Sequence, residues 1–245
     1  MSATNQTDVA VVGGGVAGRS AAIFTARHGL DTTVFDTGES LVRRNAHLEN
    51  YPGFPAGVDA RLLLGMMRDQ AEGAGASFRD AEVTRVESTD DGFAVHTAAG
   101  DRWDAAYVVA ATKNETDYLA DVEGVELVDR GKTFVETSEG GRTGVEGLYA
   151  AGRMAMKPHQ TVVSAGHGAE VAVSLLEDSG EPFYHDWVAP EGYFTGRGRD
   201  VPPGCEEIPM AEHRRREEAS LEAMRDYFAE PYPDEPEQHP SVREE

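Results

Sequence analysis

The sequence predicts an α/β domain built on a parallel sheet, and two observations favour this class. The first is a strand, a glycine-rich turn, a helix and a second strand in succession within residues 8–36. The second is a later set of three short alternating segments, separated by glycine-containing turns and followed by further apolar strands. Strands that alternate with helices pair in parallel, whereas strands joined by tight turns pair antiparallel, so both kinds of pairing are expected.

The first unit has the pattern of a dinucleotide-binding strand, turn and helix. Asp8–Val12 predicts a buried strand, Ala17–Gly29 a helix, and Thr32–Phe35 a second strand that ends at Asp36. The turn has the spacing Gly-x-Gly-x-x-Gly, formed by Gly13, Gly15 and Gly18. We expect these glycines to allow a tight turn, a close approach of a pyrophosphate and close helix–strand packing, in that order. The acid, about 20 residues downstream, is expected to accept hydrogen bonds from ribose hydroxyls.

Apolar periodicity and turn residues predict the remaining elements of a first domain over residues 1–180. They are, in chain order, a loop at Arg43–Pro55, a helix at Val58–Glu72, alternating strands at Glu82–Ser88, Gly92–Thr97 and Arg102–Asp104, a buried strand at Ala106–Ala111, a hairpin at Leu127–Thr137, a strand at Gly147–Arg153 and a helix at Thr161–Glu177.

A C-terminal extension over residues 181–245 differs in composition from the first domain. It begins with five aromatic residues between Phe183 and Phe194, continues as a Gly- and Pro-rich loop at Gly196–Pro209, and then predicts a charged helix at Glu212–Phe228. Prolines and acids predict that the last ~15 residues are flexible or extended. The aromatic residues are expected to be covered, either by the first domain or by a second subunit.

Acidic residues dominate the composition. The chain has 44 Asp and Glu against 22 Lys and Arg, a formal charge of −22, and three lysines in all. Since carboxylates are rarely buried, the surface is expected to be acidic nearly everywhere, which argues against nucleic acid and anionic membranes as partners. An acidic, lysine-poor composition resembles that of proteins from salt-accumulating halophiles, in which such charge is screened.

The cysteine count and the hydropathy limit the function classes further. Cys205 is the single cysteine, so neither an intramolecular disulfide nor a Cys-x-x-Cys redox pair is possible. The chain has no apolar run of about 18 residues, and its polar start, MSATNQTD, lacks the apolar core of a signal peptide. We therefore expect a soluble cytoplasmic protein, and we predict no metal site.

Four segments occur in a fixed order: VVGGGVAG from Val11, LENYPGFP from Leu48, YVVAATK from Tyr107 and GLYAAGR from Gly147, the last followed by HQTVVSAGHGAEVA. Together they resemble the flavin domain of low-molecular-weight thioredoxin reductases, within the FAD-dependent pyridine-nucleotide-disulfide oxidoreductases. The resemblance covers about residues 8–176. It implies a Rossmann-like FAD-binding domain of glutathione-reductase type, with a three-stranded β-meander where the alternating segments lie.

The resemblance also implies FAD as the cofactor and assigns residues along it. The pyrophosphate would be held by Gly13, Gly15, Val16, Ala17 and Gly18, the adenosine ribose by Asp36, and the adenine by the backbone of Val83. The ribitol and the ring would lie against Asn50, Gly152, Gln160 and Thr161. A helix that begins beside the flavin N1 and O2 atoms would stabilise negative charge on the reduced ring.

The sequence departs from the family pattern at three places. Where the relatives carry a complete NAD(P)H domain and the redox cysteines, this chain has only Lys113–Gly124. The family's ATG is ATK here, and its AGD is AGR, which ends at Arg153. Thr112 and Arg153 are still expected to contact FAD, the arginine by pairing with the pyrophosphate. The alternative is that this arginine marks a damaged site.

Among the groups that could transfer protons, His159 is the leading catalytic candidate. A histidine beside the ring could protonate flavin N5 or a substrate near neutral pH. The weaker candidates are His47 and His167, Cys205 as a nucleophile, and Arg43 with Arg44 as a phosphate contact.

The predicted function is that of an FAD-binding oxidoreductase without an NAD(P)H domain, which takes electrons from a diffusing small molecule or a partner protein. Two alternatives stay open, a non-catalytic FAD-binding or dimerisation module and a single-site NAD(P) enzyme. A homodimer is expected. The segment 183–228 is expected to pack over the flavin region or across a two-fold contact, with Trp187, Tyr193 or Phe194 as anchors.

Overall fold

The computed structural model describes residues 5–236, 238, 239 and 242. Its strands are β1 (Asn5–Val12), β2 (Thr32–Asp36), β3 (Ser77–Asp80), β4 (Val83–Thr89), β5 (Gly92–Thr97), β6 (Arg102–Ala110), β7 (Leu127–Asp129), β8 (Thr133–Val135), β9 (Leu148–Ala150), β10 (Trp187–Pro190) and β11 (Cys205–Ile208). Its α-helices are α1 (Val16–Arg27), α2 (Ala60–Gly73), α3 (Thr161–Ser179) and α4 (Met210–Tyr227). Six of the last 15 residues, the end that was predicted to be flexible, lie outside the described residues.

The chain divides into two compact units. The first comprises the described residues up to Leu175 together with those from Asp234 onward, and the second runs from Leu176 to Pro233. No helix of the described residues combines the length and the apolar composition that crossing a bilayer requires.

A parallel sheet in the order β3-β2-β1-β6-β9 forms the centre of the first unit. In β1, Val11 pairs with Val34 of β2 on one side and with Val109 of β6 on the other. The apolar runs therefore predicted β1 and β2 correctly. The edge strand β3 was not predicted, because its sequence SFRD shows no apolar alternation and is recognised only by its pairing with β2.

The strand β6 belongs to both parts of the sheet. Its first half pairs antiparallel with β5, where Phe93 lies opposite Ala105, and its second half pairs parallel with β9, where Ala110 lies opposite Ala150. With β4 and β5 it forms the predicted three-stranded meander. The prediction of two separate strands, one over 102–104 and one over 106–111, was wrong, since a single strand serves both pairings.

The core lies on both faces of the parallel sheet. Alternate residues of β1 point to opposite faces, as the period of a strand requires. Ala10 and Val12 pack with the meander, whereas Val9 and Val11 pack with the small residues of α1 and the inner face of α3. A sheet covered on both faces explains why β1 reads as a continuous apolar run.

The helices of the first unit begin in different ways. The carboxylate of Asp59 caps α2 by accepting hydrogen bonds from the backbone N–H groups of Arg61 and Leu62. The N-cap of α1 is Gly15, and no side chain caps this helix. The first N–H groups of α1 are therefore left for another acceptor, and a helix N-terminus favours an anion in that role.

The second unit is built on a short parallel pair, β10 with β11, and on α4. The predicted helix in α4 is confirmed, but the loop predicted over 196–209 contains β11, a strand of four residues. The rings of Trp187, Tyr193 and Phe194 pack on one another, with centroids 4.6 to 5.9 Å apart. Phe194 is buried, while the other two rings keep about a third of their surface exposed.

Candidate dinucleotide site

The glycine-rich turn joins β1 to α1 at the carboxyl edge of the sheet. Gly13 has a φ of +107°, and a Cβ there would lie 2.7 Å from the carbonyl oxygen of Ala111. A Cβ at Gly18 would lie 2.0 Å from the carbonyl oxygen of Gly13, so only glycine lets the helix pack this closely. Gly15 has open space around it, with Ser40 Oγ 3.6 Å from such a Cβ. These three environments agree with the three roles expected from the sequence.

Asp36 lies against this turn at the end of β2. A Cβ at Gly14 would lie 2.1 Å from its Cγ, so the carboxyl group faces the turn directly. Its Oδ1 accepts a hydrogen bond of 2.9 Å from the backbone N–H of Gly38. Its Oδ2 pairs at 3.0 Å with Nη2 of Arg19, a residue of α1. The acid that was predicted to bind ribose is therefore already held in place by the protein.

Arg19 is a functional residue that the sequence reasoning missed. It is only 7% exposed, and burial lowers the pKa of its guanidinium while the neighbouring carboxylate of Asp36 opposes that shift. Besides the carboxylate, it donates from Nε to the carbonyl oxygen of Gly14 at 2.6 Å and from Nη1 to that of Leu64. One buried cation thus connects the glycine turn, β2 and α2. The available signal was a charged residue within a run of small residues, VAGRSAA from Val16.

Two loops that are far apart in sequence meet at the start of α3. Asn50, from the ENYPGF segment, donates from Nδ2 to Oε1 of Gln160 at 2.9 Å. The helix α3 begins at Thr161. Gln160 immediately precedes it, and its carbonyl oxygen accepts the hydrogen bond from the N–H of Ser164 in the first turn. The structure therefore brings together the two segments that the resemblance assigned to the isoalloxazine ring.

Gly152 connects these loops to the glycine turn. Its φ is +63°, and a Cβ there would lie 2.9 Å from Cβ of Ala17 and 3.4 Å from Cβ of Ser164. One turn further along α3, a Cβ at Gly168 would lie 2.0 Å from the carbonyl oxygen of Ala17. The starts of α1 and α3 therefore both lie next to Gly152. Small residues at these positions are what allow the contact.

His167 supports this turn from inside α3. Its Nδ1 accepts a hydrogen bond of 2.9 Å from the backbone N–H of Gly152, so a neutral ring carries its proton on Nε2. The side chain is 4% exposed, and Nε2 has no hydrogen-bond partner within the described residues. Burial, aided by the charge of Lys157, lowers its pKa to about 4. The residue is therefore a neutral support for the backbone.

Three further residues that were predicted to contact FAD differ in the protein groups that they contact. Val83 begins β4 and packs in the same core cluster as Phe35, the neighbour of the ribose acid. The Thr112 hydroxyl donates to the carbonyl oxygen of Glu115, and the backbone nitrogen of Thr112 would lie 3.2 Å from a Cβ at Gly13 of the glycine turn. Arg153 donates from Nη1 to the carbonyl oxygen of Lys157 at 2.9 Å. Its guanidinium therefore has a protein partner already.

Of the remaining candidates, His159 and His47 are exposed and Cys205 is partly buried. His159 immediately precedes Gln160, and partial burial together with nearby cations lowers its pKa. His47 Nδ1 lies 2.9 Å from Oε1 of Glu49, on the exposed part of the loop. Cys205 lies in β11 of the second unit, where its thiol donates to the carbonyl oxygen of His185. No cluster of His, Cys, Asp or Glu within the described residues is arranged to hold a metal ion.

A depression of about 620 Å³ lies at the opposite edge of the sheet. Its lining includes Asp8, Asp31, Asp90, Asp91 and Asp104. Carboxylates repel a pyrophosphate, so this depression does not suit a dinucleotide. The uncapped start of α1 provides N–H donors and a favourable helix dipole instead.

Comparisons with known proteins agree with this site. An FAD binding domain family matches residues 8–48, which include the glycine turn and the ribose acid. The bifunctional thioredoxin reductase/thioredoxin of Mycobacterium leprae is 35% identical over 54% of this chain and 30% of its own length. The thioredoxin reductase of Rickettsia felis is 26% identical over 71% of this chain and 56% of its own length. The chain thus spans between about a third and just over half of these curated relatives.

Solved structures show the same fold. A thioredoxin reductase from T. acidophilum superposes with a TM-score of 0.66 at 20% identity, covering 72% of this chain and 99% of that one. One from Gloeobacter violaceus gives a TM-score of 0.62 at 20% identity, covering 76% and 99%. The order of the motifs, the sheet topology and the partial-length matches show that this chain is similar to thioredoxin reductases and shares their FAD-binding fold.

Proposed function

We propose that the chain binds FAD at the carboxyl edge of the sheet and acts as an oxidoreductase, with electrons supplied by a diffusing small molecule or a partner protein. The observation that carries the proposal is the position of Gly152 between Ala17 and Ser164. It places the uncapped start of α1 beside the start of α3 and the Asn50–Gln160 hydrogen bond. A dinucleotide that spans both helix starts would reach each of these groups.

The chain's own groups would then have distinct tasks. The N–H groups of Val16 and Ala17 would bind the diphosphate, and Asp36, fixed by Arg19, would accept bonds from the ribose. Gln160 and Thr161 would direct the positive end of α3 at the ring, where FAD would supply the electron transfer when bound. The relatives described above are thioredoxin reductases, but this chain has a single cysteine and no Cys-x-x-Cys pair.

A second candidate is a non-catalytic FAD-binding or dimerisation module. The observation that favours it is the arginine at position 153, whose guanidinium lies 5.0 Å from the ring centroid of Phe134 and is bonded to the carbonyl oxygen of Lys157. A side chain that is fixed there does not need the cofactor as its partner. Reduction of the bound flavin by reduced nicotinamide nucleotides or by light would distinguish the two candidates.

The test of FAD binding is the visible absorption spectrum of the purified full-length chain, before and after loading with FAD. We expect flavin absorption that copurifies, and release of FAD on denaturation. Asn50→Ala should shift this spectrum and weaken FAD binding, because it removes the hydrogen bond to Gln160. Asn45→Ala, in the same loop region, is the matched control. A colourless chain that cannot be loaded with FAD would refute the proposal.

A further inference from the structure

Several cations of this acidic chain are concentrated at one cleft outside the glycine turn. The cleft, of about 350 Å³, lies between the turn that joins β7 to β8 and the 3-10 turn at Gly152–Ala155. Its lining comprises Arg130, Gly131, Lys132, Phe134, Arg153 and Met156. Three of these six residues are cationic and none is acidic.

The three cations are not neutralised by the protein. Within the described part of the chain, Arg130, Lys132 and Arg153 form no ion pair with a carboxylate. Arg153 is held instead by a backbone carbonyl and by its position over Phe134, which fixes its guanidinium at the cleft. In a chain with 44 acids and 22 basic residues, three cations at one cleft without a carboxylate partner form a local excess of positive charge. Like charges held together repel each other unless an anion joins them.

Neighbouring groups experience the same positive field. Burial, followed by the charge of Lys132 and other cations, lowers the pKa of Lys113, although the carboxylate of Glu115 acts in the opposite direction. Burial followed by the charges of Arg153, Lys113 and Lys132 lowers the pKa of His159. The positive charge therefore extends from the β7–β8 turn to the residue that precedes α3.

The backbone at this place is also in an unfavourable conformation. Lys113 has a φ of +67° and Met156, which lines the cleft, a φ of +57°. The left-handed region costs an L-residue about 1–2 kcal/mol relative to glycine, and residues held there concentrate at functional sites. A lysine thus occupies a position that glycine would occupy without strain.

We propose that this cleft binds a phosphate-bearing small molecule through Arg130, Lys132 and Arg153. The forked N–H groups of two guanidiniums match phosphate oxygens, and the volume exceeds that of a single ion. The volume of about 350 Å³ suits a small molecule, and the extended phosphate backbone of a nucleic acid would be repelled by the formal charge of −22 over the rest of the chain. No glycine of the turn at the start of α1 lines the cleft, and Arg153, which the resemblance assigned to the FAD pyrophosphate, lies over Phe134 at this cleft instead. We therefore distinguish this site from the one proposed for the FAD diphosphate. The inference goes beyond the proposed function and does not require bound FAD.

The test is a calorimetric titration of the full chain with inorganic pyrophosphate, with and without saturating FAD. The test variant is Arg130→Gln/Lys132→Gln, two exposed residues in a hairpin turn, and circular dichroism checks that it folds. The control is Arg214→Gln/Arg225→Gln, which removes the same number of positive charges, two, from the exposed surface of α4. We expect one pyrophosphate per chain, binding at least about tenfold weaker in the test variant, and unchanged binding in the control.

Three results would overturn the inference: no binding to the unmodified chain, equal weakening in both double variants, or loss of pyrophosphate binding when FAD is present. The last would mean that pyrophosphate occupies the glycine turn. A failure of the proposed FAD function has a different signature, because a colourless chain can still be titrated with pyrophosphate and compared with its variants.

Discussion

Replacing Arg19 by methionine should destabilise the fold far more than a surface arginine does. The change keeps most of the apolar stem and removes the group that bonds the carbonyl oxygens of Gly14 and Leu64 and the carboxylate of Asp36. Removing one partner of a buried ion pair costs about 3–5 kcal/mol. Asp36 keeps its bond from Gly38, and its side chain is 11% exposed, so we expect the lower end, about 3 kcal/mol.

The measurement is the free energy of unfolding in guanidinium chloride, followed by far-ultraviolet circular dichroism. Arg68→Met is the matched control, since Arg68 is a half-exposed helical residue paired with Glu72 and should cost about 1 kcal/mol or less. In a cycle with Asp36→Asn, the coupling energy should exceed about 1 kcal/mol, because the two residues share one bond. A loss for Arg19→Met no larger than that for Arg68→Met would refute the reasoning.

Three further predictions follow from the same geometry. Gly168→Ala should destabilise the chain by about 1–3 kcal/mol, because the added Cβ meets the carbonyl oxygen of Ala17. Gly166→Ala, in the same helix, has open space for its Cβ and should stabilise the chain by up to about 1 kcal/mol. Chemical denaturation that shows a change of the same sign for both variants would contradict this. His167 has a folded pKa of about 4, below its unfolded value, so its contribution to stability is complete above about pH 6.5 and is lost as the pH falls toward 4. Between pH 7 and 5 this amounts to about 2 kcal/mol, and His167→Gln should remove that slope while His213→Gln, on the exposed face of α4, keeps it. The isolated chain should not reduce thioredoxin with NADPH, because it has one cysteine and no second glycine motif; turnover above background, in a preparation free of host reductase, would show this to be wrong.

Elements with strong local patterns were predictable from the sequence. The helix α2 has its apolar residues at helical spacing and an Asp at its N-cap, and the predicted Val58–Glu72 differs from Ala60–Gly73 by two residues at most. The strand β5 was predicted with its observed bounds, since turns with Gly92 and Gly100 limit it on both sides. In such segments the local preference and the tertiary context agree.

Elements defined by their partners were not predictable. β3 and β11 are strands of four residues with half-exposed patterns, and each exists because a parallel neighbour provides hydrogen bonds. Similarly, Arg19 and Asp36 are 17 residues apart in sequence, and nothing local indicates that their side chains pair. The Asn50–Gln160 bond spans 110 residues and was not predicted, since the resemblance to a known family only assigned each residue separately to the flavin ring.

The pairing of β6 with β9 has a consequence for how this fold can change during evolution. The chain leaves the sheet after Ala110 and returns at Leu148 on the adjacent strand, in parallel register. The two ends of the intervening segment are therefore anchored by the sheet itself, whatever lies between them. Because the entropy of closing a loop grows only slowly with its length, a whole domain could be gained or lost there while every strand of the sheet keeps its neighbour.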